Sequence, residues 1–338
     1  MKRLLITGYP GWLTGRFLET LRDYEFPYDA VRCLVLPGPA AVPARQMTTS
    51  RGSLTLEICE GDLGSAEGLE RACEGVQDVF HAAGVIHVKK ISEFDEINRG
   101  GTKRLLEAAA KQGVQRAVVI SSNAAQGFCP GPGIRLKETD ACHPHSPYAR
   151  SKYEAENEAR VVQKKTGLEI VILRPAMFYG PPVPPRHLDI FKKIARGWFP
   201  VFGHGNYERS VTYIDHLVQA VHLALKVPCA SGQTYAITDA EIPTLNQLVD
   251  AMAEGMGLKV RRIHLPAFLA AAARSMDKVI SAAGAYWMLP HIVGESTRHI
   301  AYSIEKAEKE LGYKPLIGYR EGYRRTMAWC REQGYDFR

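Results

Sequence analysis

Tyr148-Ala-Arg-Ser-Lys152 sets a phenol and an ammonium four residues apart. On a helix that spacing places both on one face, so the two groups point the same way. A free phenol titrates near about 10, and a neighbouring cation favours its phenolate. Bringing it to about 7 takes roughly 4 kcal/mol, at ~1.36 kcal/mol per unit. One lysine supplies part of that. So tuned, Tyr148 can trade a proton with an alcohol or a ketone. Ser121 and Ser122 follow an apolar run and can hold the same oxygen; the plainer alternative is that they only cap a strand end.

These residues need a scaffold, and the first half of the chain supplies one. Short apolar runs at 3–7, 30–36, 54–60, 78–82, 117–121 and 169–174 alternate with helical patterns at 15–22, 66–73, 96–112 and 146–165. This alternation predicts an α/β fold, a doubly wound parallel sheet with helices on both faces. The stretches 36–43 and 129–147 are rich in turn formers and read as loops, the second carrying Tyr148 into place. After Arg174 the run Gly180-Pro-Pro-Val-Pro-Pro185 breaks the alternation. Strand-like segments return at 211–214 and 233–237, and helices are expected at 303–312 and 319–332. The division predicted is a dinucleotide-binding domain over 1–178 with return segments at about 209–238. A smaller, discontinuous substrate lobe takes 179–208 and 239–338.

Thr7-Gly8-Tyr9-Pro10-Gly11-Trp12-Leu13-Thr14-Gly15 leaves the first strand and opens a helix. Glycines there permit a tight turn and close approach of a pyrophosphate, whose charge suits a helix N-terminus. That points to a dinucleotide. A positively charged nicotinamide ring beside Tyr148 would add to the cationic field of Lys152.

With these motifs in order, the chain resembles an extended short-chain dehydrogenase/reductase of the NAD-dependent epimerase/dehydratase and 3β-hydroxysteroid dehydrogenase branch. The family's turn runs Gly-x-x-Gly-x-x-Gly; Gly8 and Gly11 match, and Thr14 stands in the third place with Gly15 next to it. The resemblance implies a catalytic set of Ser122, Tyr148 and Lys152, with Ala125 and Gly127 falling where the family's residues after its serine fall. It implies cofactor contacts from Gly8, Pro10, Gly11, Trp12, Leu13, Leu36, Asp62, Leu63, Ala82, Ala83, Gly84, Asn98, Ser121, Tyr148, Lys152, Pro175, Ala176 and Met177. Asp62-Leu63 would meet the adenine, and Lys152 also the nicotinamide ribose. Arg209 and Tyr179 are the candidate substrate residues, and no metal is implied. NAD and NADP stay open: Leu36 stands where an acid normally accepts the ribose 2′-hydroxyl. Arg32, Arg45 and Arg51 lie nearby in sequence, to meet a 2′-phosphate or simply as surface charge.

Two reactions fit the same three residues. An oxidoreductase would pass hydride between nicotinamide and a secondary alcohol or ketone, and the apolar stretch 265–292 would suit a sterol-like substrate. It resembles the helical cap of steroid dehydrogenases and equally fits an ordinary helix core. An epimerase would return the hydride to the other face of a nucleotide sugar, and Arg209 resembles the arginine that epimerases place on the diphosphate. The expectation favours the oxidoreductase. Dehydratases follow their catalytic hydroxyl with Asp-Glu, whereas this chain has Asn123-Ala124, so elimination is discounted. A non-catalytic NAD(P)-binding role is the third reading, weakened by the presence of both Tyr148 and Lys152.

The net charge of +7 is diffuse, without basic runs interleaved with aromatics, which argues against a nucleic-acid partner. Seven scattered cysteines without a Cys-x-x-Cys pair favour free thiols and a cytoplasmic setting. Leu4-Leu5-Ile6 is too short an apolar run for a signal peptide and reads as the first strand. Region 264–293 is interrupted by Arg274, Asp277, Lys278 and Pro290, so a transmembrane span is not expected, though an interfacial helix is compatible with it. The resemblance implies a homodimer through the helices at 98–112 and 148–165.

Overall fold

The computed structural model of the chain describes residues 1–38, 45–49, 52–335 and 337. Its elements begin β1 (Arg3–Thr7), α1 (Trp12–Glu19), β2 (Ala30–Val35), β3 (Arg45–Thr49), β4 (Gly52–Glu60), α2 (Ala66–Cys73) and β5 (Asp78–His81). A π-helical segment (Phe94–Gly101) then runs directly into α3 (Thr102–Lys111), followed by β6 (Arg116–Ile120), α4 (Pro147–Thr166) and β7 (Glu169–Pro175). The branched apolar runs form the strands, buried on both faces as a parallel sheet requires. On one side Phe17 of α1 packs with Phe26, Phe80 and Leu217. On the other, Leu69 of α2, Leu105 of α3 and Val162 of α4 close the second layer.

Strands β8 (Met177–Tyr179), β9 (Trp198–Phe202), β10 (Val211–Tyr213), β11 (Thr234–Ile237) and β12 (Arg261–Leu265) follow, with α5 (Pro185–Ala195), α6 (Ile214–Lys226) and α7 (Leu245–Met256) among them. The main sheet runs β11-β7-β6-β5-β1-β2-β4-β3. Its pairings are parallel except β3, which runs antiparallel to β4. The chain builds outward from β1 in both directions, so a crevice opens beyond Thr7, between the carboxyl ends of β2 and β5. In open α/β sheets this switch point is where ligands bind.

Helices α8 (Ala267–Ala282), α9 (Met288–Glu295), α10 (Glu305–Leu311) and α11 (Tyr319–Glu332) complete the chain. Tyr179, Phe191, Leu248, Tyr323 and Met327 form the second lobe's own core. Asp239 ties this lobe to the return segment, accepting from the Tyr179 hydroxyl (2.9 Å), the Tyr213 amide (2.7 Å) and His216 Nδ1 (2.7 Å). Among the described residues, no helix is long and apolar enough to cross a membrane.

Three expectations need correction. β3 goes unforeseen, because Arg45-Gln-Met-Thr-Thr49 has too little apolar alternation and takes its order from β4. The 211–214 segment does not rejoin the main sheet: it pairs with β8 in a two-stranded sheet, and β11 alone returns to the edge. The 96–112 stretch is not one α-helix. Gly100 and Gly101 weaken α-helical preference there, and a Cβ on Gly101 would come within 2.8 Å of the Leu63 side chain. The expected loop at 36–43 falls mostly on residues outside the description.

Candidate active site

The glycine turn sits at the crevice. Gly8 holds φ at +88°, where side chains are strained, and a Cβ there would meet the Ala83 amide nitrogen at 2.7 Å. A Cβ on Gly11 would meet the Gly8 carbonyl oxygen at 2.4 Å. Thr14, in the third place, locks the turn: its hydroxyl lies 2.9 Å from the Gly8 oxygen and 3.1 Å from the Gly11 oxygen. Gly15 faces open space. The turn is therefore not shifted by a residue. Gly11 caps α1 without a side-chain hydrogen bond, which leaves the first amides for an anion. Leu13 is buried in the core, so only its backbone can face that crevice. The Trp12 indole nitrogen has no partner, and its ring leans on Phe178 and His187 at 4.8 Å each. Pro10 is exposed beside it.

A single chain of hydrogen bonds stiffens the floor behind the turn. The Ala83 amide donates to Thr7 Oγ1 (3.2 Å), and Thr7 Oγ1 meets His81 Nδ1 at 2.7 Å. His81 Nε2 lies 2.9 Å from Thr102 Oγ1, whose proton goes to the Asn98 carbonyl (2.6 Å). Of the two neutral tautomers, only the one protonated on Nε2 satisfies every link. Burial, helped by the Lys152 charge, pushes His81 down to about 3, in accord with that tautomer.

Several residues expected at the cofactor are held by the protein itself. Asn98 brackets Val85, accepting its amide (2.8 Å) and donating to its carbonyl (3.0 Å), and also donates to Ser151 (3.0 Å). Its role here is to shape the Ala82-Ala83-Gly84 turn, where a Cβ on Gly84 would fall 2.9 Å from Asn98 Oδ1 and 3.9 Å from Lys152 Nζ. The Ser121 hydroxyl is committed to Glu156 at 2.6 Å. Asp62 accepts the Gly64 amide at 2.5 Å, and Leu63 is buried with its carbonyl taken by Arg104 Nε (2.6 Å). Leu36 is 75% exposed at the end of β2. Arg32 turns away, to Glu57 and to the carbonyls of Ala72 and Glu74 at the end of α2. The Arg45 side chain and Arg51 lie outside the described residues. Pro175 and Ala176 are buried, Ala176 donating to Thr212 Oγ1 (3.2 Å), while Met177 is exposed.

The Ser122 and Tyr148 hydroxyls do come together, and Lys152 reaches the end of the same strand. Ser146 caps α4 through the Ala149 amide (3.2 Å), and Pro147 takes the first position, which fixes where Tyr148 falls. Burial pushes the Tyr148 phenol up, and the adjacent Ser122 hydroxyl opposes the rise. This reverses the expected direction. Lys152 is not paired with the phenol; its Nζ donates to the Ile120 carbonyl at 2.7 Å. Burial lowers the ammonium to about 8, against the nearby Glu156 charge. Ser122 Oγ accepts the Ala124 amide (3.2 Å), so it also caps the strand end. The tyrosine ring lies edge-on to Phe94 at 5.8 Å.

Beneath this set lies a charge pair that sequence reasoning missed. Glu156 is two turns beyond Tyr148 on the same helix and fully buried against Arg174. Burial would raise its carboxyl, but the bonds from Arg174, then Ser121, hold it low. The spacing Tyr148, Lys152, Glu156 was the available signal. Arg174 is committed to this pair.

At the start of the return segment, Arg209 donates to the Glu295 carbonyl of the substrate lobe (2.8 Å) and its Nε has no partner. Burial lowers it to about 10, still cationic near neutrality. The Glu295 carboxylate meets His145 Nε2 (2.5 Å) and His291 Nε2 (3.1 Å), and His291 Nδ1 meets Asp277 (3.0 Å). Burial opposes the charge on His291, but the bonds to Glu295 and Asp277 raise it to about 9. Tyr286 packs on Phe94 at 5.4 Å, linking this wall to Tyr148. Tyr179 is not on it: buried, bonded to Asp239 and stacked on Tyr323 at 4.4 Å, it belongs to the lobe's core. Nor do the large apolar side chains of 265–292 line a channel, since Phe268, Val279, Leu289 and Ile292 face outward.

Residues 4–238 match the model of the NAD dependent epimerase/dehydratase family. The chain belongs to that family. Among curated relatives, the uncharacterized protein y4nL of Sinorhizobium fredii is 35% identical over 99% of this chain and 96% of its own length. UDP-glucose 4-epimerase of Vibrio cholerae is 25% identical over 96% and 94%. N-acetyl-alpha-D-glucosaminyl-diphospho-ditrans,octacis-undecaprenol 4-epimerase of Escherichia coli O157:H7 is 29% identical over 78% and 75%. DesIV, a dTDP-glucose 4,6-dehydratase of Streptomyces venezuelae solved with NAD bound, superposes with a TM-score of 0.74 at 26% identity, covering 98% and 97%. The doubly wound fold and the enzyme class are those of epimerases and dehydratases. The sterol-like substrate finds no support among these relatives.

Proposed function

We propose that this family member epimerises a hexose carried on a diphosphate, through Ser122, Tyr148 and Lys152, with NAD as cofactor. The observation that carries it is the half-buried Tyr148 phenol beside Ser122, linked through Phe94, Tyr286 and His291 to the wall where Arg209 leaves its Nε unpaired. A cationic guanidinium with a free donor suits a diphosphate and has no use in a sterol pocket. The two 4-epimerases among the relatives act, by their names, on sugars so carried.

The residues fit a dinucleotide. Gly8 and Gly11 let the turn close tightly on itself and against Ala83, the first amides of α1 are left open for a pyrophosphate, and Lys152 stands behind Gly84 for the nicotinamide ribose. NAD bound there supplies the hydride acceptor and, on return, the donor. NAD is favoured over NADP because the family is NAD dependent and Arg32 is engaged elsewhere.

Ser122 would hold the reacting hydroxyl oxygen while Tyr148 takes its proton and later returns it. Lys152 keeps positive charge behind the phenol. Asn123 and Ala124 offer no acid or base for eliminating water, which separates this chain from the dehydratases. We also infer a homodimer across α3 and α4, where Arg99 and Lys103 already converge on Glu158, and a cytoplasmic setting for the seven free thiols.

The test is purified protein with NAD and either UDP-glucose or a prenyl-diphosphate-linked N-acetylglucosamine, with sugars resolved by NMR. Epimer formation without net NADH supports the reading. Net cofactor turnover on secondary alcohols, or a dehydrated sugar product, would overturn it.

A further inference from the structure

The hairpin of α8 and α9 has two unlike faces. Inward it presents Tyr286, His291 and Glu295 to the site, and its tip reaches the cofactor-binding half, where Ile91 donates to the Gly284 carbonyl at 3.3 Å. The two helices close on each other through Asp277 with His291 and through Arg274 Nη1 donating to the Gly294 carbonyl at 2.5 Å. Outward the hairpin is apolar. At 100° per residue, Phe268 lies nine positions and half a turn from Asp277, and Val279 is nearly opposite it as well. Phe268 is 67% exposed, Val279 71%, Leu289 59%, Ile292 56% and Trp287 53%. Stable monomers rarely leave so many large apolar groups exposed on two consecutive helices.

Within residues 259–299 the exposed charges are all positive. Asp277 and Glu295 are the carboxylates between 259 and 299, and both turn inward to His291. Lys278 is exposed beside Val279; Lys259 and Arg261 before the hairpin and Arg298 after it are exposed too. Apolar side chains including a tryptophan, flanked by lysine and arginine and cleared of exposed carboxylates, complement an anionic lipid surface. Neither helix can span a bilayer.

We propose that the outer face of the 267–295 hairpin docks on an anionic membrane surface and presents the active-site mouth to it. The consequence for catalysis rests on the diphosphate-sugar reading: a substrate whose diphosphate is anchored by a lipid would be met where it lies. Docking itself does not depend on turnover.

The full-length protein is sedimented with phosphatidylcholine vesicles, with and without phosphatidylglycerol. Binding to the anionic vesicles, weakened by salt and reduced at least about tenfold in F268S/L289S and in K278E, is expected. These side chains are exposed, so the variants should keep the wild-type melting temperature and NAD affinity, which shows that they fold. No binding to anionic vesicles, or binding unchanged in both variants, overturns the proposal. Vesicle-free self-association abolished by F268S/L289S would also overturn it, by giving the face to a second copy. Vesicle binding without epimerase activity would leave docking standing and remove the substrate reading.

Discussion

Arg174 grips Glu156 through two parallel hydrogen bonds, Nε to Oε1 at 2.8 Å and Nη2 to Oε2 at 2.7 Å, directly beneath the strand end that carries both serines. The Ser121 hydroxyl fills Oε1 at 2.6 Å, and Arg160 reaches Oε2 at 3.0 Å. This division of labour decides between two adjacent serines. Ser121 is tied down under the sheet, which leaves Ser122 to face Tyr148.

Removing one partner of this pair should be severe. Glu156→Ala leaves a buried guanidinium unpaired, and a loss of about 3–5 kcal/mol is expected in urea unfolding. The Glu156 carboxyl is held below its unfolded value, so its stabilisation is complete above the unfolded carboxylate pKa. It disappears as pH falls through the folded one. Glu156→Gln should flatten that part of the acid limb, and an unchanged acid profile would exclude the pair as its source.

Much of this was legible in sequence. The parallel sheet followed from short apolar runs alternating with helical patterns, and the glycine turn from its place between a strand and a helix. What sequence did not show has physical causes. Asn98 and Asp62 are polar residues at family positions, and the bonds that commit them to Val85 and Gly64 are made across space. The Tyr148 shift came out reversed because helix spacing shows who shares a face but not how dry it is; Lys152 instead found the Ile120 carbonyl. The apolar stretch 265–292 has helical period, and period alone cannot say whether core, substrate or membrane receives it.

Tyr148→Phe keeps the ring against Phe94 and removes the proton carrier. A fall in kcat of roughly 10²–10⁴ is expected, with NAD affinity unchanged in fluorescence titration. Ser122→Ala should lower kcat less, since the phenol remains. Retained turnover in Tyr148→Phe would remove it as the acid/base.

Lys152 titrates near about 8 and should set an alkaline limb in kcat there, as its charge behind the phenol is lost. The fold should not fail with it. Its folded value lies below the ordinary lysine value of 10.5, so between those values the unfolded chain binds more protons. This group's contribution to stability therefore rises with pH across that window. Lys152→Arg should move the limb to higher pH, and a limb that stays in place would assign it to another group.

The turn distinguishes three glycines. Gly11→Val puts side-chain atoms where the Gly8 carbonyl already sits, and Gly8→Ala meets Ala83. Each should weaken NAD at least about tenfold, equivalent to ~1.4 kcal/mol. Gly15→Ala points into open space and should leave affinity as it is. If Gly15→Ala were the damaging change, Thr14 would not be the residue that locks the turn.

Arg209 offers the sharpest separation of substrate from cofactor. Its guanidinium is anchored by one backbone carbonyl of the substrate lobe and remains charged, with a value of about 10. Arg209→Met preserves the length of the stem and removes the cation. If the cation meets a diphosphate, KM for the glycosyl diphosphate should rise by about tenfold or more, as for a charge-assisted bond of ~1.5–3 kcal/mol. NAD affinity and the kcat extrapolated to saturation should change little. A Lys at this position restores charge without the fork, so partial recovery of KM is expected. Loss of NAD binding in Arg209→Met would place the arginine with the cofactor, and an unchanged KM would remove the diphosphate from this wall.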